Sequence, residues 1–149
     1  MTEIEKETKH KYEYHTAYLD REDQVYRLRR NPHSNWSKFK RGSGLSDVEL
    51  MDIAIQKWEF ILDIYEEEPH AYVNSGGSTT CPFCTRYQDD FNTDIPCKDC
   101  PISKRTGQKY CYGSPITPTY GQPKVQHVVG ALNYLVSIQK ELRNESTEN

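Results

Sequence analysis

The sequence predicts an α+β fold, predominantly helical, with a zinc-stapled loop region between two long packed helices. Three observations predict it. Apolar residues recur at a helical period over residues 46–68 and again over 124–143. Near the N-terminus, Tyr12, Tyr14 and Tyr18 fall on a period of two, in a residue type that favours strands. Between the helices lie two C-x-x-C pairs.

The chain has 149 residues, a size that suits one compact unit. Two stretches are distinguished within it: a basic, Tyr-rich segment over 1–45 and a helical, cysteine-bearing part over 46–149. Eleven tyrosines carry much of the apolar surface. The expected core is therefore modest, and a metal staple would support it.

The elements are expected in this order. Residues 1–11 are polar and charged and are expected to be loose. Residues 12–18 and 25–28 read as a β-hairpin turning through Asp20-Arg-Glu-Asp23, with a helix over 18–30 as the competing reading. Asn31-Pro32 breaks the chain. Residues 33–45 read as a loop holding Trp36 and Phe39.

Ser46 opens the first long helix. With Glu49 three residues on, it makes a capping box. Leu50, Ile53/Ala54, Lys57/Trp58, Ile61/Leu62 and Tyr65 then mark the apolar period. Glu68, before Pro69, should end it. Residues 70–80 read as a turn or linker. Residues 81–121 show no sustained periodicity and are rich in Pro, Gly, Asp and Thr, so a bound metal would be a reason for their order. The last helix is expected from Lys124 to Arg143, with Val125, Val128/Val129, Leu132, Leu135/Val136 and Leu142 on one face. Residues 144–149 should fray.

The cysteines carry the chemistry. Cys81-Pro-Phe-Cys84 and Cys97-Lys-Asp-Cys100 are separated by twelve residues, and Cys111 follows alone. Each two-residue gap lets one tight turn aim two thiolates at a single ion. The expected cofactor is therefore Zn²⁺, held by Cys81, Cys84, Cys97 and Cys100, with Cys111 as a substitute ligand. A closed Cys₄ site leaves no open coordination position, so it would be structural and not catalytic. The bland reading is a set of unrelated reduced thiols, which two C-x-x-C pairs at this spacing disfavour. Cys81-Pro-Phe-Cys84 also resembles the dithiol of glutaredoxins. A thioredoxin-like fold would place a buried apolar strand just before it, whereas Asn-Ser-Gly-Gly-Ser-Thr-Thr precedes it here.

The order Lys57-Trp58-Glu59, Cys81-x-x-Cys84, Cys97-x-x-Cys100-Pro101-Ile102, Thr106-Gly107, then Cys111 with Gly113-x-Pro115 resembles a group of small proteins encoded by tailed bacteriophages. The match spans residues 46–140. The resemblance implies a phage origin and a shared metal-bound scaffold, and it implies no reaction. It also implies that Cys111 belongs to the recurring pattern. Where the group has Gly-Thr-Pro-Tyr after its last cysteine, this chain has Tyr112-Gly-Ser-Pro115-Ile116.

Charge is segmental beneath a net of −3. The stretch 27–41 holds Arg27, Arg29, Arg30, Lys38, Lys40 and Arg41, interleaved with Trp36 and Phe39. Cations for phosphates and rings for stacking suit nucleic acid. Such a segment can equally lie against the acids of 47–68. None of the five histidines sits at ligand spacing with another; His70 is the reserve ligand nearest the cysteines. No P-loop, G-x-S-x-G or H-E-x-x-H pattern is present. No stretch reaches the ~20 apolar residues of a membrane span, and the charged N-terminus is unlike a signal peptide. These features give three expectations. The first is a non-catalytic zinc protein, phage-encoded and cytoplasmic, that binds and modulates a host or defence protein. The second is a nucleic-acid binder. The third is a thiol redox enzyme.

Overall fold

The computed structural model describes residues 10–11, 13–20, 22–40, 42–70, 72–75, 80–87, 100–106 and 124–147. Among them the chain is α+β and mostly helical. Four strands, β1 (His10–Lys11), β2 (His15–Asp20), β3 (Val25–Arg30) and β4 (Tyr72–Asn74), form one sheet in the order β1-β2-β3-β4. Four helices accompany it: α1 (Asp47–Glu67), α2 (Pro82–Tyr87), α3 (Pro101–Thr106) and α4 (Val125–Thr147).

β2 and β3 pair antiparallel, with His15 opposite Arg30 and Asp20 opposite Val25. The turn is held by Asp20, whose Oδ1 accepts from the backbone N–H groups of Glu22 and Asp23 at 3.1 and 3.3 Å. That is an Asx-type turn, a local alternative to helix that asparagine and aspartate offer. Gln24 completes it in the left-handed region at φ 57°. The competing helix over 18–30 is thereby excluded.

β3 and β4 pair parallel, Val25 to Tyr72 and Arg27 to Asn74. A parallel pair needs a long crossover, and α1 supplies it. Two expectations are corrected here. Residues 70–80 do not form only a linker, because Val73 is an apolar residue that buries fully in β4. Residues 1–11 are not loose throughout, because His10 and Lys11 pair with Ala17 and Thr16.

α1 begins with the complete capping box: the Ser46 hydroxyl accepts from the Glu49 N–H, and the Glu49 side chain accepts from the Ser46 N–H. Its buried residues are not confined to one stripe and run from Leu50 to Tyr65, Lys57 among them. A helix apolar on most sides is a central one. One apolar cluster joins it to Ala17, Tyr26 and Leu28 of the sheet, Phe83 and Tyr87 of α2, and Val128, Ala131, Leu135 and Ile138 of α4. Trp36–Phe39 is not plain loop but a 3₁₀ turn, with Asn35 capping it and both aromatic side chains buried.

α4 buries Val128, Ala131, Leu135 and Ile138, at helical spacing. Its core face is rotated from the expected one, for Val125 and Val129 are exposed. The helix also passes Arg143 and reaches Thr147. Arg143 and Gln139 both donate to Asp52 of α1, tying the C-terminal turns to the first helix.

Candidate metal centre

The first C-x-x-C closes a turn into α2. The Cys81 carbonyl accepts from the N–H groups of Cys84 at 3.1 Å and Thr85 at 3.3 Å. Pro82 occupies the first helical position, where its missing N–H costs nothing. Cys100 repeats this design: Pro101 follows it, and the Cys100 carbonyl accepts from the Lys104 N–H at 2.9 Å. Cys81 and Cys84 are partly buried, and Cys100 is buried. Cys97 and Cys111 lie outside the described residues.

Cys81 and Cys84 are brought together. A side-chain hydrogen bond from Cys84 pulls the Cys81 thiol down to about 6, with help from the Lys57 charge and from the N–H groups of Cys84 and Phe83. This shift favours the thiolate, the form that binds metal. This is the chemistry of half a tetrahedral thiolate site, in which two sulfurs stand about 2.3 Å from one ion. Cys100 is near enough to Tyr87 of α2 for its charge to act on that phenol. Among the described residues, no three His, Cys, Asp or Glu gather closely enough to hold a metal. The paired thiols fit zinc as two donors. His70, the reserve ligand, is exposed in the turn after α1.

The pair is anchored from three sides. His15 of β2 is 1% exposed and donates from Nε2 to the Thr80 carbonyl at 2.9 Å. A carbonyl can only accept, so the proton sits on Nε2. Burial drives the His15 pKa down to about 4. Arg30 lies over the Trp36 ring at 4.5 Å and donates to the Thr85 hydroxyl at 3.2 Å. Arg86 of α2 is buried and donates from Nε to the Phe39 carbonyl at 2.8 Å. It also meets Asp47 at 3.5 Å, and Asp47 accepts from the Tyr87 hydroxyl at 2.8 Å. Burial first, then this carboxylate, raises the Tyr87 pKa.

Sequence reasoning singled out none of His15, Thr80 or Arg86, and it noted Lys57 as a place on the apolar period and as part of the Lys57-Trp58-Glu59 run. That was the available signal for Lys57, since a lysine at a core position asks for a partner. His15 and Arg86 gave no such signal, because their partners are backbone carbonyls far along the chain.

The basic stretch does not form one surface. Arg27 pairs with Asp20 at 3.1 Å and Asp23 at 2.8 Å. Arg29 lies over Tyr18 at 5.0 Å and Lys38 over Tyr14 at 4.8 Å. Arg27 and Arg29 share one sheet face by alternation, and Arg30 lies on the other. Trp36 is 8% exposed, Lys40 is exposed, and Arg41 lies outside the described residues. The Tyr26 hydroxyl, one residue before this stretch, donates to Glu68 at the end of α1.

No helix among the described residues is long and apolar enough to cross a membrane. No protein-family model, curated protein or solved structure matches the chain.

Proposed function

We propose that the chain is a non-catalytic, zinc-stabilised binding protein, encoded by a tailed phage, that acts in the host cytoplasm on a host or defence protein. The observation that carries the zinc half is the Cys81–Cys84 pair, two thiol donors converging on the turn that starts α2, in surroundings that lower the Cys81 pKa. Cys81, Cys84, Cys97 and Cys100 would hold the ion. Zinc there would supply no reaction; it would fix the turns that start α2 and α3. The resemblance of the cysteine run to small phage proteins supports the host-directed half.

A thiol redox activity is the second reading, favoured by the same acidic Cys81. Against it, the strand before the motif is three residues at the sheet edge, six residues short of Cys81. Nucleic-acid binding through 27–41 is weaker, because Arg27 is committed to two carboxylates of its own hairpin.

Elemental analysis of the purified chain with a native thiol count separates the first two. The expected result is one zinc per chain, lowered by Cys84→Ser or Cys97→Ser. No metal, together with turnover of a glutathione mixed disulfide that Cys81→Ser abolishes, would replace the zinc protein with the enzyme. A protein captured from bacterial lysate after nuclease treatment is expected. A complex lost to nuclease would favour nucleic acid.

A further inference from the structure

Thr16 of β2 is 6% exposed, and its Oγ1 is buried with no hydrogen-bond partner among the described residues. A buried hydroxyl left unmet is costly, and in a folded protein it asks for a reason. Valine has the same branched shape, suits a strand and would carry no such cost. The strand register shows what stands beside it. Thr16 pairs with Arg29 of β3 on one side and with Lys11 of β1 on the other, so Lys11, Thr16 and Arg29 form one row across three strands. Residues paired in this way share a face of the sheet. Ala17 and Leu28, the next pair along, belong to the core, so the row is on the face turned away from it.

The Arg29 guanidinium lies over the Tyr18 ring at 5.0 Å. A guanidinium laid on a ring is fixed in place and still has N–H donors at its edge. One rung further, Tyr18 stands opposite Arg27, and Arg27 takes up the carboxylates of Asp20 and Asp23. Those acids are thereby neutralised beside the row. A hydroxyl without an acceptor, set between two basic positions, has an oxyanion as its chemical complement. Arginine meets phosphate with paired N–H donors, and a phosphoryl group has the charge and the oxygens to engage two basic residues and a hydroxyl. We propose that the row is a phosphoryl-binding site: the Thr16 hydroxyl and the Arg29 guanidinium donate to the oxygens of a phosphoryl group, and Lys11 adds positive charge at the same level of the sheet. The site is independent of the zinc reading above.

The test is calorimetric titration and thermal melting of the full chain with inorganic phosphate, against chloride at matched ionic strength. The parent is expected to bind phosphate and to melt higher in it, as a ligand of the folded state requires. Thr16→Val is expected to melt at or above the parent without phosphate, because the unmet hydroxyl is gone, and to bind phosphate about tenfold more weakly. Thr16→Ser, which keeps a hydroxyl, should retain binding, and Arg29→Gln should lose it. Stability kept or gained while binding is lost marks a ligand site and not a packing position. A nucleoside monophosphate forms the second arm. An advantage over inorganic phosphate that Tyr18→Leu cancels would assign the phosphoryl group to a nucleotide, and equal binding would assign it to free phosphate. A parent chain that responds to phosphate no more than to chloride overturns the site. So does equal phosphate binding by Thr16→Val and the parent. If Thr16→Val does not fold, Thr16→Ala is read by the same criteria.

Discussion

The pair α1 and α4 and the pair α2 and α3 are both helical, but different forces hold them. α1 has 21 residues and α4 has 23. Each presents apolar residues at helical spacing, and side-chain ties through Asp52 join them. α2 and α3 have six residues each. Helices that short do not persist in water, because nucleation costs more than a few bonds return. Each starts at a cysteine followed by proline, and each holds its place through a few buried side chains: Phe83, Arg86 and Tyr87 in one, Ile102 in the other. The long pair is set by periodicity. The short pair is set by its ends, which is where a metal would act.

The largest test of that contrast is Cys81→Ser. Serine is a better helix cap than cysteine. If the turn were only a capped helix, the change would be neutral or slightly stabilising. If zinc is held there, the change removes a soft thiolate and part of a binding energy that is also folding energy. The expected outcome is a loss of several kcal/mol in the zinc-bound chain, of the order that metal coupling supplies. Hydrogen exchange should show where it falls. Amides of 82–87 and 101–106 should lose protection while those in the middle of α1 and α4 keep it. Equal protection in variant and parent would place α2 and α3 with the long pair.

A pH titration sharpens the contrast from the sheet side. His15 holds the Thr80 carbonyl, one residue before the cysteine turn. Its pKa falls from 6.5 to about 4 on folding. The unfolded chain therefore binds a proton at His15 before the folded chain does. Stability from this group is whole above pH 6.5, declines as pH falls from 6.5 toward 4, and declines no further below that. The full difference corresponds to about 3 kcal/mol, at 1.36 kcal/mol for each pKa unit. His15→Gln keeps a donor for Thr80 and removes the titration. In denaturant melts the parent's stability relative to the variant should fall by about 3 kcal/mol between pH 7 and pH 4. Parallel curves across that window would show that His15 does not carry the effect.

How much of this was legible follows from the range of the forces. The capping box at Ser46 and the long helices could be read because their causes lie within four residues of each position. Asp20 and Asp23 were readable as a turn for the same reason. β4 was not. Tyr72–Asn74 holds one buried residue, Val73, and becomes a strand only because α1 returns it beside β3. The ties from Gln139 and Arg143 of α4 to Asp52, some 90 residues away, were likewise beyond any local pattern. In the candidate site, spacing alone pointed to Cys81 and Cys84. The groups that surround them, His15, Lys57 and Arg86, come from a strand and two helices that no local pattern joins.

The smallest predicted effect closes the comparison from the other side. Ser46→Ala removes the hydroxyl that accepts from the Glu49 N–H at 3.2 Å and leaves the Glu49 side chain to hold the Ser46 N–H alone. An N-cap serine is worth about 1 kcal/mol. Glu49 loses part of the environment that depresses its pKa, in which the Ser46 N–H acts first and the hydroxyl second. α1 should absorb the loss, because its order rests on burial along more than four turns and not on its first. The expected outcome is a lower melting temperature, unchanged zinc content and exchange that rises only in the first turn. A loss well beyond 1 kcal/mol, or one that spread to 82–87, would show that Asp47 transmits the damage through Arg86 and Tyr87. The start of α1 and the cysteine turn would then be one cooperative unit, and the line between the long and short helices would fall elsewhere.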